Sequence, residues 1–122
     1  MFPDMKLYEE VIFLKTWFKG KYCIENVISY YEPLIRPTEL ENHYFWTNFL
    51  ISYKKPNKRG LIRVSMDERI EYMQKNLGID LTDINISKSL KSKVLSNCVR
   101  PELGKHILEY AINPIKRQME LV

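Results

Sequence analysis

Tyr22-Cys23-Ile24-Glu25-Asn26-Val27-Ile28 is an apolar, partly β-branched run with one acid and one amide at its centre, entered through Gly20 and left through Ser29-Tyr30-Tyr31-Glu32-Pro33. Short runs of this kind, bounded by turn residues, predict a buried strand of a parallel sheet. Glu25 and Asn26 then stand toward its carboxyl end, and in open α/β sheets ligands bind in the crevice beyond that end. A carboxylate held against apolar neighbours loses hydration of its charged form and is suited to carry or share a proton. Glu25 fits equally a plain turn residue that ends the strand, since structural acids collect at such places too.

Composition limits what can surround this run. The chain has 122 residues, enough for one small domain. With 45% hydrophobic and 12% aromatic residues and four glycines, it has the makings of a packed core. A formal charge of +4 permits an anionic partner without requiring one. Cys23 and Cys98 have no metal-ligand spacing and do not make a disulfide scaffold, so the expectation is a reducing, cytoplasmic setting and no metal. No apolar run reaches the ~18 residues of a membrane span, and no basic-then-apolar leader opens the chain.

Before the central run, Leu7, Val11, Leu14 and Phe18 recur at helical spacing, with Ile12 and Trp17 widening the apolar face, and predict a helix over Met5 to Lys19. Pro3 and Asp4 suit its first turn and Gly20 its end. Helix, turn and strand form the second half of a crossover unit. After it, residues 29–42 read as a loop. His43 to Tyr53 is the most β-prone run of the chain, and its aromatics fit either sheet packing or a stacking platform for bases. Lys54, Lys55, Lys58 and Arg59 surround a Pro-Asn-Gly turn, with Arg63 just beyond. Such a cluster suits phosphate contacts, or simply a solvated hairpin tip. A helix is predicted from Met66 to Leu77, with Ile70, Met73 and Leu77 inward and Gly78 as its stop; another from Ser87 to Leu95, with Asn85 as cap; and a last one opened by Pro101, with Leu103, Ile107, Leu108 and Ala111 as its core face. His106 lies beside that face, without a partner to make it a base.

Four segments, in order, resemble the DNA (cytosine-5) methyltransferases. Phe2-Pro3-Asp4-Met5-Lys6-Leu7-Tyr8-Glu9-Glu10 is similar to the family's fifth motif, and Glu25-Asn26-Val27 after an apolar strand looks like the sixth. The His43–Tyr53 run corresponds to the eighth-motif strand but lacks its Gln-x-Arg-x-Arg signature. Asn97, Val99 and Pro101 match the tenth motif, Gly-Asn-x-Val-x-Pro, with Ser96 in place of the glycine. The first motif, Phe-x-Gly-x-Gly, and the Pro-Cys of the fourth are absent; both would precede Met1. The chain therefore looks like the carboxyl-terminal half of such an enzyme.

The resemblance implies an α/β fold: a partial, Rossmann-like, S-adenosylmethionine-dependent methyltransferase sheet with a small helical target-recognition insert. Residues 1–53 would form half of the catalytic core, 54–90 a reduced target-recognition region, and 91–122 the tenth-motif turn and a final helix packing back on the core, all in one domain. It implies that Glu25 contacts N3 and the exocyclic amine of a flipped cytosine while Asn26 fixes the loop, that Asp4, Asn97 and Val99 border the S-adenosylmethionine pocket, and that the basic residues at 54–63 meet DNA. Lacking nucleophile and cofactor loop, the chain would be inactive alone and would need an amino-terminal half, joined through its open sheet edge; the cofactor is implied only in that complex. Two other readings use the same residues. One is a non-catalytic, methyltransferase-derived protein, phage or defence related, that binds DNA or inhibits a protein partner. The other is a small helix-turn-helix DNA binder.

Overall fold

The computed structural model describes residues 2–52 and 64–113 of the chain. Its elements are α1 (Met5–Trp17), β1 (Cys23–Val27), β2 (Thr38–Leu40), β3 (His43–Thr47), α2 (Met66–Leu77), α3 (Lys88–Ser96) and α4 (Pro101–Ile112). They belong to two compact units, Met1–Lys55 with Ile107–Val122, and Pro56–His106. The fold is mixed α/β with a small antiparallel sheet.

In the first unit, Asp4 caps α1: its Oδ1 accepts the Lys6 N–H at 3.1 Å. One face of the helix sets Tyr8 and Val11 against Trp46, with Leu7, Ile24, Tyr31, Ile35 and Tyr44 around them. Trp46 is the hub. Its indole meets Tyr8 edge-on (6.2 Å, 87°) and Tyr44 likewise (6.0 Å, 72°), and its Nε1 donates to the Ile35 carbonyl at 2.8 Å. An indole N–H has to find an acceptor when buried, so this bond fixes where the 29–37 segment crosses the aromatic cluster.

The sheet order is β1-β3-β2, with both pairings antiparallel. β1 was expected as a buried strand of a parallel sheet; here it is an edge strand, exposed at alternate positions. The reason lies in the connections. A parallel neighbour needs a crossover of a dozen or more residues, usually helical, whereas the chain after β1 turns back and forms a hairpin whose second strand pairs with β1. That hairpin crosses residues 29–42, expected to be a loop. Leu40 pairs with His43 around Glu41 and Asn42, which have positive φ of 49° and 76°, the signature of a type I′ turn. β3 ends at Thr47, short of the expected Tyr53. There the Thr47 hydroxyl donates to the Phe49 carbonyl (2.7 Å), and the Asn48 amide reaches across to residues 20–22, donating to Gly20 O (2.9 Å) and accepting from Tyr22 N (3.1 Å).

Gly20 does not terminate α1, which leaves helical geometry at Phe18. Its role is steric: a Cβ at Gly20 would lie 2.8 Å from the Phe18 ring. Ile12 and Trp17, expected to widen the core face of α1, are exposed.

The second unit follows its local signals closely. Ser65 and Glu68 form a reciprocal capping box at the start of α2, and Gly78 ends it in the left-handed region at φ 67°. The Gln74 side chain then accepts the Leu81 N–H at 2.7 Å and folds the connection back. Ser87, not Asn85, caps α3 by accepting the Leu90 N–H at 3.2 Å, because the cap has to precede the first helical residue directly. Ile70, Leu77 and Leu95 are the core, flanked by Met73, Leu81 and Cys98. The connection 78–87 is longer than the three to four residues of a helix-turn-helix, which sets this pair apart from that motif. Pro101 opens α4, of which the residues up to His106 belong to this unit and those from Ile107 to the first; Leu103, Ile107 and Tyr110 are buried, while Leu108 is exposed.

Candidate functional site

The register of β1 on β3 divides the predicted pair. Cys23, Glu25 and Val27 lie opposite Thr47, Phe45 and His43 on one face, whereas Ile24 and Asn26 lie opposite Trp46 and Tyr44 on the other. Glu25 and Asn26 therefore project to opposite sides of the sheet. The Asn26 amide oxygen accepts the Val27 N–H at 2.9 Å and shapes the strand's exit.

Glu25 is not enclosed by apolar side chains. Its carboxylate is 38% exposed, as an edge strand dictates, and Oε1 stands 3.7 Å from Nε2 of His43, whose side chain is only 6% exposed. The pair thus joins a carboxylate that solvent and ligand can reach to an imidazole held inside the sheet by its place on the central strand. His43 was read only as part of a β-prone run. Its partnership is visible in the alternation: counting back by two along β3 from Phe45 reaches His43, diagonal to Glu25.

Cys23 shares the Glu25 face. Its thiol is pushed up to about 11, first by loss of hydration and then by the Glu25 carboxylate, although the residue as a whole lies at the surface. At neutral pH it stays protonated and is a poor nucleophile.

Asp4 is brought to the exit end of β1 by a residue that the sequence reading passed over. The Tyr31 hydroxyl, four residues beyond the end of β1, accepts the Asp4 N–H at 3.1 Å, and the Leu34 N–H donates to the Tyr8 hydroxyl at 3.2 Å. Both bonds tie the segment after β1 to the first two turns of α1. Asp4 keeps acceptor capacity there: an ionised carboxylate has about four lone-pair sites, and the cap uses one.

Asn97 and Val99 belong to the second unit. Asn97 ends α3, its N–H donating to the Lys93 and Val94 carbonyls at 3.2 Å. Val99 is half-buried, and Arg100 Nη1 lies 3.8 Å from Glu102 Oε2 at the start of α4. Lys54, Lys55, Lys58, Arg59 and Arg63 lie outside the described residues. The alternative use of the His43–Tyr53 aromatics as a stacking platform meets a plain obstacle: Phe45, Trp46 and Phe49 are buried.

Among the described residues, no group of three or more His, Cys, Asp and Glu side chains is placed to hold a metal ion, and no helix is long and apolar enough to cross a membrane. No family model, curated protein or solved structure matches this chain.

Proposed function

We propose that this chain is the carboxyl-terminal half of a DNA (cytosine-5) methyltransferase core and acts with a second polypeptide that brings the cysteine nucleophile and the glycine-rich cofactor loop. The observation that carries this reading is β1 itself. It has one partner strand among the described residues and an open second edge, it carries Glu25 at its centre, and the segment that follows it is tied to the Asp4 start of α1 through Tyr31. Helix α1, the tight turn and β1 are the second half of a crossover unit; in a complete Rossmann-like sheet the strand before α1 would lie parallel to β1 at that open edge.

In this role a cytosine is flipped out of the duplex, because C5 and C6 are out of reach while it is stacked. Glu25 meets N3 and the exocyclic amine and stabilises the charge that builds on the ring as a thiolate adds at C6. His43 acts as a positioning residue, holding the Glu25 carboxylate from inside the sheet. The raised pKa of Cys23 agrees with a nucleophile supplied by the other chain. Asp4 offers acceptors for the hydroxyls or amine of a nucleoside; Asn97 and Val99, in the second unit, carry the tenth-motif resemblance alone. Bound S-adenosylmethionine supplies the methyl group. The basic residues from Lys54 to Arg63 are assigned to phosphates.

The test is complementation. The chain is mixed with an amino-terminal methyltransferase half containing the Pro-Cys motif, and methyl transfer to cytosine DNA is followed. Transfer by the wild type, reduced ~10²–10⁴-fold by Glu25→Gln, supports the assignment. Undiminished transfer by the variant removes Glu25 from the mechanism. Association of the halves without transfer favours the non-catalytic, methyltransferase-derived binding protein.

A further inference from the structure

Where α1 turns into β1, the chain reads Lys15-Thr16-Trp17-Phe18-Lys19-Gly20-Lys21-Tyr22, three lysines among three aromatics with no acid. Trp17 is 72% exposed and Phe18 50%. Lys15, Lys19 and Lys21 are exposed as well, and none is paired with a carboxylate among the described residues.

The turn is also built to hold its shape. The far edge of the Phe18 ring folds back over Gly20, 2.8 Å from where a Cβ would stand. From the far side, the Asn48 amide clamps Gly20 O and Tyr22 N. Trp17 and Phe18 put two aromatic rings, adjacent in sequence and open to water, among the three lysines of this turn. Cover by another protein fits poorly, since lysine is depleted from the cores of such interfaces. Flat apolar faces among unpaired cations match a ligand that is itself a chain of flat rings joined by anions.

We propose that the α1–β1 turn binds single-stranded nucleic acid, with bases stacking on Trp17 and Phe18 and phosphates meeting Lys15, Lys19 and Lys21. Stacking surfaces combined with a cationic track are how sequence-tolerant single-strand binders work. The turn lies at the entry end of β1, whereas Glu25 and Asn26 lie further along the strand. It is a second contact, independent of the methyltransferase reading. It needs neither a partner chain nor a methyl donor.

The experiment titrates the whole chain with a twelve-nucleotide oligothymidylate and reads tryptophan fluorescence. Trp46 is buried at 4%, so the water-exposed indole emission belongs to Trp17. Binding should quench it, and Trp17→Ala with Phe18→Ala should weaken binding, read by anisotropy of a labelled oligonucleotide, at least about tenfold. Trp17→Tyr should recover part of that loss, a result that a merely misfolded variant would not show. Replacing the three lysines by alanine should flatten the slope of log affinity against log salt by about 2. Equal quenching by inorganic polyphosphate would reduce the site to a bare anion patch and overturn the proposal. Quenching by phosphatidylserine vesicles but not by the oligonucleotide would make it a membrane contact and overturn it too. Unchanged affinity in the double variant would place binding elsewhere on the chain.

Discussion

The two units of this protein are held together in different ways. In the helical unit, the starts and stops of the helices are set by residues close in sequence: Ser65 caps with Glu68, Gly78 ends α2, and Ser87 caps α3, while the Lys88–Asp67 ion pair and the Ile70–Leu77–Leu95 core join α2 to α3. In the sheet unit, the bonds that decide the fold span long stretches of chain: Asp4 to Tyr31, Tyr8 to Leu34, Tyr22 and Gly20 to Asn48. The first kind of organisation is written in short motifs, while the second exists only once distant segments have met. The sheet unit should therefore be the one that a single substitution can dismantle, because its aromatic hub ties together segments with no local stability of their own.

The sharpest way to break that contrast is at the two cores. Trp46→Ala removes a buried indole, its hydrogen bond to Ile35 and two aromatic contacts, and should cost ~3–5 kcal/mol in denaturant unfolding. Leu95→Ala, at the centre of the helical core, should cost ~2–5 kcal/mol. If the Leu95 variant proves the more damaged of the two, the hub assignment for Trp46 is wrong.

A smaller effect separates long-range from local control of the hairpin. Asn42 sits at φ 76°, where a β-branched side chain crowds the backbone, and Asn42→Val should destabilise the protein by ~1–2 kcal/mol. Loss of the cap in Ser65→Ala should cost ~1 kcal/mol, read from the helical signal. No loss there would mean that packing, and not the capping box, sets the start of α2.

The smallest effect concerns Cys23. Its folded-state thiol is raised to about 11 from an ordinary value of 9.0, so above pH 9 the unfolded chain releases this proton before the folded one does. The folded state then binds more protons, and this group subtracts stability as pH rises from about 9 to 11. Below 9 it contributes nothing. Cys23→Ser should remove that part of the alkaline decline, measured as the difference between the two proteins' melting temperatures across the interval. Alkylation of Cys23 should correspondingly be slow at neutral pH and accelerate toward 11.

The reach of sequence reading follows the same division. The Gly78 stop of α2 and the Pro101 start of α4 are legible because such residues act on the backbone locally, whereas the α3 cap, expected at Asn85, falls at Ser87. The β2–β3 hairpin is not legible, since Glu41-Asn42 lacks the glycine that usually announces a type I′ turn. Asn48 as a clamp and Tyr31 as a tie carried no local pattern at all. Within the candidate site, Glu25 is expected inside a buried strand against apolar neighbours and instead stands partly exposed at the middle of an edge strand. Hydrophobic neighbours in the chain do not enclose a side chain; neighbouring strands do.

Element types and helix caps, the apolar run that became β1, and the clustering of cations and aromatics were all present in the order of residues, because they depend on side-chain chemistry and on spacing of a few positions. Strand direction, the edge position of β1, the meeting of Glu25 with His43 and the bracing of the Trp17–Phe18 turn were settled by folding alone. Each requires two segments more than fifteen residues apart to pair in one register, and no single segment encodes the register of its partner.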